Sequence, residues 1–286
     1  METIISLSTV AYEGYPLETA LEEISQLGGE YVELGFVAGV SEGFTEDDFS
    51  SAHGRKLKEK LTDFGLKTLA LAAHMDLGGQ DAVTAFSRRM EFAKAVGAKI
   101  VHTKASDRSN KTRFLRNIEA LTELAESLDL IIALENPGHG FGDNNLIYSG
   151  ASGASLVKEI GSDFVRLNYD FGNAFSYSKG AIRPEEDFEP ALPYAVHYHL
   201  KDLASSDAGL VFTEIGKGVI DYQKILHFMS RQTPLPLFAI ELPLMLIRDA
   251  GFNPKRRETP LRLPEIGRIL KNSLAYVEKV LHGNGA

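Results

Sequence analysis

Short runs in which apolar residues stand together or alternate with polar ones recur along the chain at 3–8, 31–34, 67–73, 99–103, 130–134, 164–169, 195–200 and 237–242. Such runs predict strands, and each of the first seven leads into a stretch of helical spacing or a loop before one. In the first helix Leu17, Ala20, Leu21, Ile24 and Leu27 form one apolar stripe, with Pro16 near its first turn and Gly28-Gly29 as its stop. Thr45 with Asp48 reads as a capping-box start for the next, running towards Phe64-Gly65. Further stripes lie at 82–96, stopped by Gly97, and at 114–128, 155–160, 222–229 and 266–281.

Strands alternating with helices predict an α/β protein with a parallel sheet. The parity of the strands predicts that this sheet closes. One set of alternate positions holds Ser6, Ser8, Glu33, Ala70, Ala72, His74, His102, Ala133, Glu135, Asn168, Asp170, Ala195, His199, Ala239 and Glu241. The other holds Leu7, Val32, Leu34, Leu71, Val101, Ile132, Leu134, Leu167, Val196, Leu200, Phe238 and Ile240. Small and polar residues belong inside a narrow barrel, and branched apolar ones face its helices. Strands of an open doubly wound sheet are more often apolar on both faces. The expected fold is a (β/α)8 TIM barrel forming a single domain over 1–286, a length that suits the ~250 residues such a barrel needs.

Hydrophobic residues make up 44% and charged residues 24%, the balance of a chain that buries a large core. The net charge of −9 repels phosphate backbones, so nucleic acid is not an expected partner. There is no cysteine, which excludes thiolate chemistry and disulfides. METIISLSTV has no basic leader, and no apolar run approaches the ~20 residues of a membrane helix, so the expected location is cytoplasmic, without membrane attachment. The loops at 36–44 and 137–150 are glycine-rich, 171–190 carries Phe175 and Tyr177, and 243–264 holds four prolines and Lys255-Arg256-Arg257. In a barrel, loops after strands build the active-site face. Exposed aromatics in them predict a homodimer or homotetramer, and the basic run reads as a solvated face, with an anion clamp or subunit contact as the sharper alternative.

Candidate chemistry centres on AVHYHLKD, where alternation sends Ala195, His197, His199 and Lys201 to one face. Glu135, Asp170 and Glu241 stand at or near the ends of three other runs. Three carboxylates and one imidazole gathered at a barrel mouth suit a divalent ion, Mn2+ first and then Mg2+, Co2+ or Zn2+. Without a cation their like charges would raise one another's pKa.

Val32–Leu34, Leu134–Gly138 (LENPG), Asn168–Asn173 (NYDFGN), His197–Asp202 (HYHLKD), Glu214–Leu226 (EIGKGVIDYQKIL) and Ile240–Leu242 together resemble the sugar isomerase/epimerase superfamily with its xylose-isomerase-like barrel. The resemblance implies that Glu135, Asp170, His199 and Glu241 are metal ligands, and that Glu135 and Glu241 are also the acid/base pair on opposite faces of a sugar. The activity it implies is epimerisation or isomerisation of a keto-sugar through a metal-stabilised enediolate. Dehydration of a keto-sugar or keto-cyclitol by the same intermediate is the alternative, and a barrel that only binds sugar is a third reading. His74 and His102 match positions of polar substrate contacts. Lys201 points into the same cavity, to hold substrate or to pair with Glu33 or Asp170; His197 lies deeper, in a structural role; Asn136 and Asn173 orient ligands or substrate. The superfamily's zinc nucleases need a histidine where Asn173 stands and an Asp-x-His just before EIGKG, where the chain reads Leu210-Val211-Phe212; these missing ligands and the net charge of −9 count against that reading.

Overall fold

The computed structural model describes residues 4–36, 44–139, 144–234 and 236–283. Thr3 of the first predicted strand, most of the loop 36–44, residues 140–143 and the tail 284–286 lie outside these. In chain order the elements are β1 (Ile5–Ser8), α1 (Leu17–Gln26), β2 (Tyr31–Gly35), α2 (Ser51–Asp63), β3 (Ala70–Asp76), α3 (Ala82–Val96), β4 (Ile100–Lys104) and α4 (Lys111–Leu128). They continue with β5 (Ile131–Glu135), α5 (Gly150–Ile160), β6 (Val165–Asp170), α6 (Phe171–Tyr177), α7 (Pro184–Asp187), β7 (Ala195–Leu200), β8 (Asp202–Ser206) and β9 (Gly209–Thr213). The last are α8 (Tyr222–Met229), β10 (Leu237–Ile240), β11 (Leu246–Arg248), β12 (Pro254–Arg256) and α9 (Leu263–His282). Among the described residues, no helix is long and apolar enough to cross a membrane.

Eight parallel strands close in the order β1, β10, β7, β6, β5, β4, β3, β2, so the (β/α)8 expectation holds. Leu7, Val32, Leu71, Val101, Ile132, Leu167 and Phe238 face outward into one core with the helices, which contribute Leu21, Ile24, Phe86, Phe92, Leu121, Ile225 and Leu270. Burying each such side chain is worth about 1.5–3 kcal/mol. Inside, a small apolar plug of Ala70, Ile100 and Ala133, with Ile131, Val196 and Leu237 against it, fills one end. Above it the interior turns polar.

Val196 departs from the simple alternation. Leu167 pairs with Ala195 but Asn168 pairs with His197, leaving Val196 as an extra residue on β7. The bulge exchanges two neighbours: Val196 turns into the barrel plug and Ala195 joins the outer core. His197 and His199 are left on the inner face.

The capping box at Thr45 and Asp48 is present, but it closes a 3-10 turn at Glu46–Asp48 and does not start α2. Phe49 breaks the helical path to bury its ring against Phe92, and α2 begins after Ser50, whose hydroxyl accepts a hydrogen bond from the His53 amide (3.2 Å).

The long loop 171–190 opens as α6, and Phe175 and Tyr177 are buried. Phe36 and Phe44 are buried too, stacked with ring centroids 4.2 Å apart. These aromatics are occupied within the chain and give no ground for the expected homodimer or homotetramer.

A second, four-stranded antiparallel sheet, in the order β12, β11, β9, β8, is built from the segments that follow β7 and β10. The basic run 255–257 falls largely on its exposed edge strand, a placement that discourages edge-to-edge pairing.

The segments HYHLKD and EIGKG form one structural unit. The buried Asp202 carboxylate accepts hydrogen bonds from the backbone amides of Leu203 (2.9 Å), Gly216 (3.0 Å), Gly218 (2.9 Å) and Ile220 (3.3 Å). Gly218 must be glycine here, because a Cβ would collide with that carboxylate.

Candidate active site

Glu135, Asp170, His199 and Glu241 come together at the C-terminal ends of β5, β6, β7 and β10, all buried. One ligand atom from each can be chosen so that all four lie within 4.8 Å of one another. Local structure aims them. Asp170 caps α6 with Oδ1, which accepts from the Asn173 amide (2.8 Å), and so turns Oδ2 to the centre. Asn136 joins its side-chain amide to the backbone of Asp170 at both ends (2.8 Å each), holding β5 and β6 in step. Asn173 Nδ2 donates to Glu135 Oε1 (2.9 Å).

Glu33 at the end of β2, expected from sequence only as a partner for Lys201, sets the imidazoles. Its Oε2 lies 3.0 Å from His199 Nε2, 3.1 Å from His102 Nε2 and 3.6 Å from His197 Nε2. A carboxylate can only accept, so Glu33 keeps the His199 proton on Nε2. His199 Nδ1 then faces Glu241 Oε2 (2.9 Å), Glu135 Oε1 (3.4 Å) and Asp170 Oδ2 (3.4 Å). His102 bridges Glu33 and Glu135, while His197 bonds Asn168 Oδ1 (3.0 Å) deeper in the barrel. His74 Nε2 lies 3.2 Å from Glu135 Oε2 at the rim.

Lys201 reaches the same centre. Its ammonium lies 2.6 Å from Asp170 Oδ2, in contact with Glu241 Oε2, and 4.0 Å from Glu135 Oε1. Of the two partners expected for it, Asp170 is the one met. Gly172 gives it room, since a Cβ there would collide with the Lys201 side chain.

The electrostatics follow from burial and crowding. Burial would raise Glu241, but His199 and Lys201 bring it down to about 2. Burial also works against ionised Glu135, and His74 and His199 outweigh it, holding the carboxyl well below its usual range. Asp170 is raised, burial prevailing over the attraction of Lys201. Burial lowers His74 to about 4 despite Glu135 beside it. The two glutamates are therefore carboxylates at neutral pH, the form a base requires.

The donor set fits a divalent cation. Glu135 Oε2, Asp170 Oδ2, His199 Nδ1 and Glu241 Oε2 are each buried without a hydrogen bond, held in ion contacts: Glu135 Oε2 with His74 and His102, the other three with one another's charges and with Lys201. Buried polar atoms are rarely left so unless they serve a ligand.

A cleft of about 1210 Å³ opens at the opposite end of the barrel, lined by Ile4, Gly29, Tyr31, Ile131 and Leu237. Glu30 and Lys99 on its wall are engaged with Lys67 and Asp129, and among the described residues no converging set of acidic and histidine side chains faces it.

The sequence model of the xylose isomerase-like TIM barrels matches residues 21–253. The chain belongs to the xylose isomerase-like TIM-barrel family. No curated protein matches it by sequence. Solved structures share the barrel at low identity. D-psicose 3-epimerase, solved in the presence of D-fructose, superposes with a TM-score of 0.73 at 13% identity, over 98% of this chain and 99% of that one. A xylose isomerase-like TIM-barrel protein from Mycobacterium smegmatis in complex with magnesium gives 0.72 at 14%, over the whole of both chains (100%). The probable 3-DHS dehydratase AsbF of Bacillus anthracis gives 0.68 at 16%, over 96% and 98%. At these identities the likeness is one of fold. The xylose isomerase-like barrel of this chain thus carries its converging carboxylates on the face where barrel enzymes place their chemistry.

Proposed function

We propose that this protein is a divalent-metal-dependent epimerase or isomerase of a keto-sugar that moves a proton on the carbon next to the carbonyl. The observation that carries this reading is the meeting of Glu135 and Glu241 with Asp170 and His199 around one centre, each with a buried atom lacking a hydrogen bond. These four would hold the ion, with Mn2+ preferred over Mg2+, Co2+ or Zn2+ for a set of three carboxylates and one imidazole. When bound, the cation polarises the carbonyl and neutralises the charge that develops on its oxygen.

The chain's own groups do the rest. One of Glu135 and Glu241 takes the proton from carbon at a carboxylate oxygen and so becomes the acid; in isomerisation it returns that proton to the neighbouring carbon, and in epimerisation the other glutamate, after taking a proton from solvent, delivers it to the opposite face. Lys201 adds positive charge beside both. His74, half-buried at the rim, is placed to contact a sugar hydroxyl, and His102 to steady Glu135 from below.

The test is metal analysis of the purified protein, joined to a panel of ketoses incubated in deuterated water. A labelled isomer supports the proposal, loss of water would replace it with a dehydratase, and a protein without metal or exchange would be a sugar-binding barrel. Glu33→Gln is expected to weaken Mn2+ binding by roughly 10- to 100-fold, because the acceptor that orients His199 loses its charge. Titration calorimetry reads this without turnover, and unchanged affinity would remove Glu33 from the centre.

A further inference from the structure

Arg248, on β11 of the small sheet, is 4% exposed, and its Nε and Nη1 are buried with no hydrogen-bond partner among the described residues. Its guanidinium lies beside the candidate site. A Cβ built on Gly138 would stand 3.0 Å from Arg248 Nη2 and would collide with Asn173 Oδ1. Only the width of a glycine therefore separates Arg248 from Asn173, the residue that bonds Glu135.

On the neighbouring rim the His139 imidazole is held below its usual range, first by burial and then by the positive charges of Lys104, at the end of β4, and Arg248. Among the described residues no carboxylate oxygen lies within the 4.0 Å ion-pair distance of Arg248, Lys104 or His139. The distant attraction of Asp170 does not offset the burial of the guanidinium. In a chain of net charge −9 this cluster is selective, and a desolvated guanidinium without a partner is costly unless a ligand's anion meets it.

We propose that Arg248 binds an anionic group, a carboxylate or a phosphate, on the sugar whose reacting carbon lies between Glu135 and Glu241. The substrate class is then an acidic sugar and not a neutral ketose. This rests on the reading of Glu135 and Glu241 as the proton-transfer pair.

The experiment uses the metal-loaded protein and calorimetric binding of gluconate, fructose 6-phosphate and fructose to wild type, Arg248→Gln and Arg248→Lys. One anionic probe, whichever of the two fits, is expected to bind wild type more tightly than fructose does. Its affinity should fall roughly 10- to 100-fold in Arg248→Gln and recover in part in Arg248→Lys, as loss of a charge-assisted pair requires. Fructose affinity should not move. Equal binding of all three probes by wild type, or an anion affinity that Arg248→Gln leaves unchanged, overturns the proposal. If Arg248→Gln does not fold, Arg248→Lys together with salt competition on wild type decides, since an anion held by this residue must be displaced by chloride far more readily than fructose is. Failure of the two readings can be told apart. Deuterium exchange into a neutral ketose by wild type and Arg248→Gln alike leaves the proton-transfer reading standing and removes this one, whereas Arg248-dependent anion binding without exchange does the reverse.

Discussion

Glu241→Gln is expected to abolish the deuterium-labelled product that wild type forms from its ketose in deuterated water, a loss of about 10²–10⁴-fold in rate. The amide keeps the shape of the side chain and removes the basic oxygen. Glu241 is suited to that role because His199 and Lys201 overcome its burial and hold it ionised. Glu241 is also one of the four converging side chains, so metal content must be measured on the same sample. A variant that retains metal and loses labelled product identifies Glu241 as a proton carrier. Unchanged labelled product would remove Glu241 from the mechanism.

Asp202→Ala is expected to lower folding stability by about 3–5 kcal/mol, without direct contact with the reacting centre, because four backbone donors, two of them on the buried residues Leu203 and Ile220, lose their acceptor at once. Burial pushes the Asp202 carboxyl above its usual range while the four amides pull the other way, beginning with Gly218. The value of Asp202 therefore lies in satisfying donors more than in its charge. The loop it holds leads into α8, and Tyr222 of α8 in turn bonds both the amide (2.8 Å) and the carbonyl (2.7 Å) of Lys201. Loosening the loop should thus disturb the Lys201 ammonium as well. A change of this size lowers the melting temperature by roughly 10 °C in a chain of this length. Urea unfolding that places the variant within about 1 kcal/mol of wild type, the range typical of an ordinary substitution, would show that the loop is held by other contacts.

The residues differ in how far they could be read from sequence. Glu135, Asp170, His199 and Glu241 were legible because a strand's alternation is local, and closure sends one parity inward on every strand. The hairpin of β8 and β9 left a weaker trace, the apolar run Leu210-Val211-Phe212 just after the Asp207-Ala208-Gly209 turn signal. Arg248 left only a lone charge ending the apolar run Leu244 to Ile247. Glu33 was placed on the inner face by parity, but its grip on three imidazoles required their relative heights in the barrel.

By itself the sequence determined the eightfold alternation of strand and helix, the inner and outer faces, and the four side chains that meet at the mouth, since these follow from short-range periodicity repeated around a closed sheet. Tertiary structure alone decided that Val196 and Ala195 exchange faces, that Lys201 lies against Asp170 and Glu241, that Asp202 ties two distant segments together, and that Arg248 is buried beside Asn173. Each of these depends on cross-strand register or on where a long loop returns, which is fixed by packing between residues far apart in the chain and leaves no periodic mark on it.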